Sequence, residues 1–411
     1  MILLFLTSGL FLGWSLGAND ASNVFGSAVG SRMVSFRKAA IIASIAVILG
    51  AVIQGAGASD TLGKLGSVNA IGGSFTLALA AAVTVYAMTK FSLPVSTTQA
   101  IVGAIIGWNL FTGNDTDANT LSKIVGTWIS GPIIGAVFAI ILFILINKIK
   151  KTSRIHLIRF ESYIKKGLIL AGAFGAYSLG ANNIANVMGV FVPAFNLTEL
   201  DFGLFSLSSS QQLFLLGGLA IAVGIMTYSK NVMKTIGGNI VELSSEGALV
   251  VVLAQSLVLF IFSSSGLSNL FVRIGLPPVP MVPVSSSQVI VGCVIGIGIY
   301  KGARNINYRL LGQIAAGWVA TPIISGLLAF FSLFFIKNIF SINVGQKTIA
   351  GAGMENIMQV ASQQNMSVIV KYLLLGIMFI GIILIIYYYL LERKKRRELR
   401  RSEDKFWKNI K

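Results

Sequence analysis

SLGANDASNVFG (15–26) and SLGANNIANVMG (178–189) agree at eight of twelve positions without a gap. A second pair follows each copy: PVSTTQAIVGAIIG (94–107) and PVSSSQVIVGCVIG (283–296) agree at nine of fourteen positions. In the third pair, TWISGP (127–132) and GWVATP (317–322) share their Trp and Pro. Three pairs in the same order make the chain a duplication. The offset is 163 for the first pair, 189 for the second and 190 for the third. The later half therefore carries 26 extra residues between its first two motifs, expected mostly around 192–211 and 266–282.

Working outward from the motifs, apolar stretches near the length of a bilayer crossing recur along the whole chain. The candidate spans are 2–30, 39–58, 73–89, 91–110, 124–147, 167–191, 212–229, 243–265, 281–300, 311–336 and 367–391. Of 411 residues, 55% are hydrophobic and 11% charged, against about 25% charged in soluble domains. That balance excludes a soluble enzyme or binding module. The start, Met1 followed by ILLFLTSGLFLGW, has no basic n-region and no small-residue cleavage site, so the first span is expected to remain in the protein.

Five crossings precede the basic stretch 148–166, and an odd number makes the second half enter the membrane from the opposite side. The predicted fold is all-α and polytopic, with 11–12 transmembrane helices in two inverted-topology repeats and broken helices near the midplane. The expected parts are a first repeat, 1–147, a basic cytoplasmic linker, 148–166, and a second repeat, 167–336. After them come an extracellular loop, 337–366, a last span, 367–391, and a basic cytoplasmic tail, 392–411.

A net charge of +18 would suggest nucleic acid as a partner if it were spread over a soluble surface. Instead, 26 of the 32 Lys and Arg fall in alternate inter-span segments and in the tail. By the positive-inside rule these segments are cytoplasmic. A multi-pass protein of the cell membrane is expected, with its N-terminus outside, its C-terminus inside and its tail on anionic lipid. No nucleic-acid partner is expected. Cys293 is the single cysteine, which precludes an intrachain disulfide.

Asn19, Asp20 and Asn23, with their counterparts Asn182, Asn183 and Asn186, put amides and one carboxylate inside apolar spans, where unpaired polar groups are costly. The preceding Leu-Gly-Ala is a point where a helix could break and expose carbonyls to an ion. The plainer alternative is close helix packing with interhelical amide bonds. Asp20 is the one acid deep in a span, with no Lys or Arg near it in sequence. Its natural partner is a bound sodium ion or a proton, and sodium suits hard oxygen ligands. Asn23, Asn183, Asn186, Gln99 and Gln288 are the further candidate sodium ligands.

In the second motif, a Pro and three hydroxyls precede an apolar run: Ser96, Thr97 and Thr98 in one copy, Ser285, Ser286 and Ser287 in the other. This is the pattern of a capped helix start, whose free N–H groups and dipole favour an anion. Two such starts would surround a tetrahedral oxyanion, and phosphate fits the donor set. Asn19, Asn182 and Asp20 complete the expected phosphate site. A proline kink satisfied by Ser and Thr is the structural alternative.

GANDASN and GANNIAN resemble the duplicated signature of the inorganic phosphate transporter (PiT) family, and PVSTTQ and PVSSSQ resemble its second repeated element. The resemblance covers nearly the whole chain. It implies symport of phosphate with Na⁺ or H⁺, homodimers and no bound cofactor. It also implies cation binding by Asp20, Asn23 and Asn186, with phosphate lined by Ser96 to Thr98 and Ser285 to Ser287. The chain departs from that pattern in having Asn183 where the second signature usually has Asp. Gln99 and Gln288 stand where many relatives have His, and 39–58 lacks the Glu of eukaryotic relatives. His156, the one histidine, lies in the linker, so few titratable groups remain for a proton relay and sodium is favoured. Sulfate transport, proton coupling and an anion channel are the competing readings. An intramembrane enzyme lacks a base beside the hydroxyls, and no ATP-binding signature is present.

Overall fold

The computed structural model describes residues 2–66, 68–90, 95–152, 156–195, 197–201, 203, 206–230, 233, 244–302 and 307–345. The expected last span, the tail, Pro94 and the loop beyond residue 345 lie outside the described residues. The fold is all-α, with twelve helices among the described residues. The first repeat contributes α1 (Ile2–Gly30), α2 (Phe36–Gln54), α3 (Ala56–Leu65), α4 (Ile71–Lys90), α5 (Thr97–Thr112) and α6 (Ala118–Thr152). The second contributes α7 (Leu157–Met188), α8 (Ser209–Thr227), α9 (Ser245–Ser263), α10 (Ser265–Arg273), α11 (Ser286–Tyr300) and α12 (Tyr308–Phe340). All twelve belong to one compact unit, Met1–Glu199 with Leu207–Thr348. A second unit, Leu200–Ser206 with Ile349–Lys411, is represented among the described residues by β1 (Leu200–Asp201) and part of β2 (Ser206–Leu207).

The extra length of the second repeat falls where the offsets predict. A 3-10 turn, Gly189–Ala194, and β1 occupy the first insertion, and α10 with the irregular segment 276–285 occupies the second. The linker expected at 148–166 is mostly helix, because α6 runs on to Thr152 and α7 starts at Leu157. Lys150 and Lys151 in the last turn of α6 favour that extension by facing the negative end of the helix dipole.

Seven helical segments are long and apolar enough to cross a membrane. The two that begin at the hydroxyl motifs are shorter: α5 has 16 residues and α11 has 15. At 1.5 Å per residue they span roughly 24 Å, less than a hydrocarbon core. The helices within the expected spans 91–110 and 281–300 begin later than those spans, at Thr97 and Ser286. The capping chemistry sets the start. Ser96 and Ser285 have extended backbones and accept the N–H of Gln99 at 3.2 Å and Gln288 at 3.3 Å.

The break considered possible at the Leu-Gly-Ala of the first motif does not occur. Helices α1 and α7 run unbroken through it. Gly17 and Gly180 serve contact instead: a Cβ on Gly17 would lie 2.0 Å from the Ile221 carbonyl oxygen, and one on Gly180 would lie 2.1 Å from that of Val47. Backbone meets backbone at these crossings, which is how small residues hold membrane helices together.

The contacts exchange between the repeats. α1 packs on α8 and α2 on α7, while α5 packs on α12 and α11 on α6. A Cβ on Gly103 of α5 would lie 2.1 Å from the Pro322 oxygen, and one on Gly292 of α11 would lie 2.2 Å from the Pro132 oxygen. Each of these short helices is thus seated on the proline of the third motif from the other repeat, and the two copies form one interlocked body. α6 and α12 are peripheral, each with 22% of its apolar window buried, whereas the corresponding share for α7 is 72%. Gly103→Val is expected to cost about 3 kcal/mol or more through backbone overpacking. Size-exclusion recovery and melting temperature of the purified variant check this, with Gly126→Ala, which meets open space, as the silent control.

After α12 the chain returns to the first repeat, where the Trp108 Nε1 on α5 donates to the Val344 carbonyl at 2.8 Å. Asn343 and Val344 lie against Gly72 and Gly73 at the start of α4.

Candidate functional site

All fourteen polar residues singled out in the two motifs are buried, none more than 4% exposed. They form one cluster where α1 and α7 meet the starts of α5 and α11. Two kinds of contact build it, one within each repeat and one across.

Within each repeat, the first motif holds the second. Asn19 Nδ2 donates to the Val95 carbonyl at 3.2 Å. Asn182 does the same to Val284 at 2.7 Å and also accepts the Val284 N–H at 2.9 Å. Asn182 therefore pairs with its target as a neighbouring strand would, satisfying both backbone groups of the residue before the hydroxyls. Asn19 and Asn182, expected at the phosphate site, each bond the backbone just before the hydroxyls and so help to set where α5 and α11 begin.

Across the repeats, the carboxylate and amides meet the opposite hydroxyls. The Ser286 hydroxyl donates to Asp20 Oδ2 at 2.9 Å and accepts from Asn23 Nδ2 at 3.3 Å. In the mirrored half, Asn186 Nδ2 donates to Thr98 Oγ1 at 2.9 Å and to Asn183 Oδ1 at 2.9 Å. Asn19 completes the shell of Asp20 by donating to its Oδ1 at 3.1 Å. These cross-links are the part that the sequence does not announce, because the partners lie 263, 266 and 88 positions apart.

Several buried oxygens in the cluster have no hydrogen-bond partner: Asn23 Oδ1, Asn186 Oδ1, Gln99 Oε1, Gln288 Oε1 and Thr97 Oγ1. Four of the five are symmetry-related pairs of amide oxygens, which only accept. Such groups cost free energy unless something donates to them or a cation coordinates them. Asp20 is the only carboxylate buried among the described residues. The ion pair Lys150–Glu246 lies elsewhere, and the hydrogen-bond partners of Asp20 among the described residues, Asn19 and Ser286, are both uncharged. The cluster thus combines a carboxylate, unpartnered oxygen acceptors, and two helix N-termini of the kind that favours an anion.

Gln255 on α9 escaped the motif reading. It is 1% exposed, and neither atom of its amide has a partner. A lone amide within the apolar run VVVLAQSLVLF (250–260) was the available signal.

The phosphate transporter family model matches residues 16–329 and again 272–408. A protein of Pyrococcus furiosus named as a candidate phosphate permease is 26% identical over 404 residues, covering 80% of this chain and 94% of that protein. One of Methanocaldococcus jannaschii with the same name is 28% identical, covering 79% and 94%. A solved structure titled as the sodium-dependent phosphate transporter superposes with a TM-score of 0.66 at 22% identity, covering 82% of this chain and 99% of that one. At that identity the likeness is one of fold.

Proposed function

Because the chain belongs to the phosphate transporter family, we propose that it is a secondary active symporter that takes up inorganic phosphate together with sodium ions by alternating access. The observation that carries this reading is the group of unpartnered buried oxygens on Asn23, Asn186, Gln99, Gln288 and Thr97. They belong to the same buried cluster as the lone carboxylate Asp20 and the two capped helix starts. Sodium neutralises Asp20 and coordinates the amide oxygens, while the α5 and α11 starts offer N–H and O–H donors to the phosphate. With no cationic side chain bonded at the cluster among the described residues, cation and anion each improve the other's site, and coupling follows from that mutual stabilisation.

Sodium is favoured over protons because the remaining site groups are amides and hydroxyls, which do not titrate. The repeats move against each other around the shared cluster, with the N-terminus outside, the basic tail cytoplasmic and the protein in the plasma membrane as a homodimer. Uptake of labelled phosphate by purified protein in liposomes tests the reading. Accumulation driven by an inward sodium gradient is expected. Accumulation driven by a proton gradient alone, full competition by sulfate, or flux without accumulation would each replace it with a different transport mode.

Ser96→Ala combined with Ser285→Ala removes both caps, each worth about 1 kcal/mol. The KM for phosphate is expected to rise about tenfold as the helix starts loosen. Initial rates against phosphate concentration measure this, and an unchanged KM would reduce the motif to a helix kink.

A further inference from the structure

The two halves of the cluster are symmetric in backbone and opposite in chemistry at one position. Asp20 presents two oxygens, one taking the Asn19 amide and the other the Ser286 hydroxyl. Its counterpart Asn183 presents one oxygen and one nitrogen. The orientation of that amide is set by a chain of donors. The Val284 N–H can only donate, so the atom of Asn182 that it meets is the oxygen. One hydrogen of Asn182 Nδ2 goes to the Val284 carbonyl, and the other points at Asn183, which must answer with its oxygen, at 3.3 Å. Asn186 donates to the same oxygen. Asn183 Nδ2 is left as a buried donor, 1% exposed and without a partner.

We infer that Asn183 directs its amide N–H at the transported oxyanion, so that the second half-site donates to phosphate where the first accepts a cation, and one fewer sodium ion accompanies each phosphate than a two-carboxylate site would carry. The inference rests on the phosphate–sodium reading above. An unsatisfied N–H beside two helix starts adds to their anion preference and opposes a cation at the same point. The oxygen of Asn186 remains an acceptor, but without a carboxylate on the Asn183 side the charge that half-site can hold is lower by one.

The test uses full-length protein in liposomes. Wild-type protein is first shown to accumulate phosphate with a sodium gradient; failure there overturns the functional reading itself. The number of sodium ions per phosphate is then measured from the opposing phosphate gradient that stops net flux at a series of sodium gradients and voltages. Asn183→Asp is expected to raise that number by one and to increase the charge moved per cycle. Asn183→Ala removes the donor without adding charge, together with the oxygen that accepts from Asn182 and Asn186; it is expected to raise the phosphate KM about tenfold while sodium binding measured without phosphate persists. Wild-type coupling with an unchanged number in Asn183→Asp and an unchanged KM in Asn183→Ala overturns this inference alone. Where a variant does not transport, protection of the purified protein against heat decides: sodium should protect both wild type and Asn183→Ala, and phosphate should protect wild type much more strongly. Equal protection by phosphate would overturn the inference.

Discussion

Asp20→Asn is expected to lower sodium-driven phosphate uptake by more than about 100-fold, since unpairing a buried charge costs about 3–5 kcal/mol. The fold should survive. Asparagine has the same shape, its oxygen can still accept from Asn19, and its nitrogen can donate to a Ser286 hydroxyl that rotates to accept. What disappears is the one carboxylate buried among the described residues, and with it the electrostatic reason for a cation to enter an apolar interior. Equal yields and melting temperatures with lost uptake separate this effect from misfolding. Retained sodium dependence in the variant would remove Asp20 from the cation site.

Asn182→Ala is expected to act through position rather than charge. Truncation leaves both the N–H and the carbonyl of Val284 without the partners they have in the native cluster. Each buried orphan costs about 1–3 kcal/mol, and the start of α11 shifts to recover its bonds. Phosphate uptake at low concentration should fall by at least about 30-fold, corresponding to a loss of roughly 2 kcal/mol. Asn19→Ala should loosen its helix start less, because Asn19 makes a single, longer bond to Val95, and its effect on uptake comes also through the lost donor to Asp20 Oδ1. A thermal scan beside the uptake assay separates the two components. Equal thermal effects of the two substitutions would contradict the anchoring role, since the asymmetry of the bonds predicts unequal ones.

Much of this protein was legible from local chemistry. The Ser96 and Ser285 caps could be read from type and order alone, because a cap is satisfied within three residues. The insertions could be read from the offsets between the motif pairs. The third motif was visible only as a matched Trp and Pro. Its use, seating Pro132 and Pro322 on Gly292 and Gly103 of the other repeat, depends on helices that are adjacent in space and remote in sequence. The same distance explains why Gly17 and Gly180 looked like points of breakage. A glycine between a leucine and an alanine reads as a weak place in a helix until a second backbone lies against it.

The sequence by itself determined the membrane class, the duplication, the opposed orientation of the copies and the residues of the cluster, since each follows from composition, odd span number or short-range spacing. Only the tertiary structure decided who holds whom. It crosses Asp20 to Ser286 and Asn186 to Thr98, and it spends Asn182 on Val284. Those pairings arise from packing two interlocked repeats against each other, where burial favours polar atoms that find a partner whatever its distance along the chain.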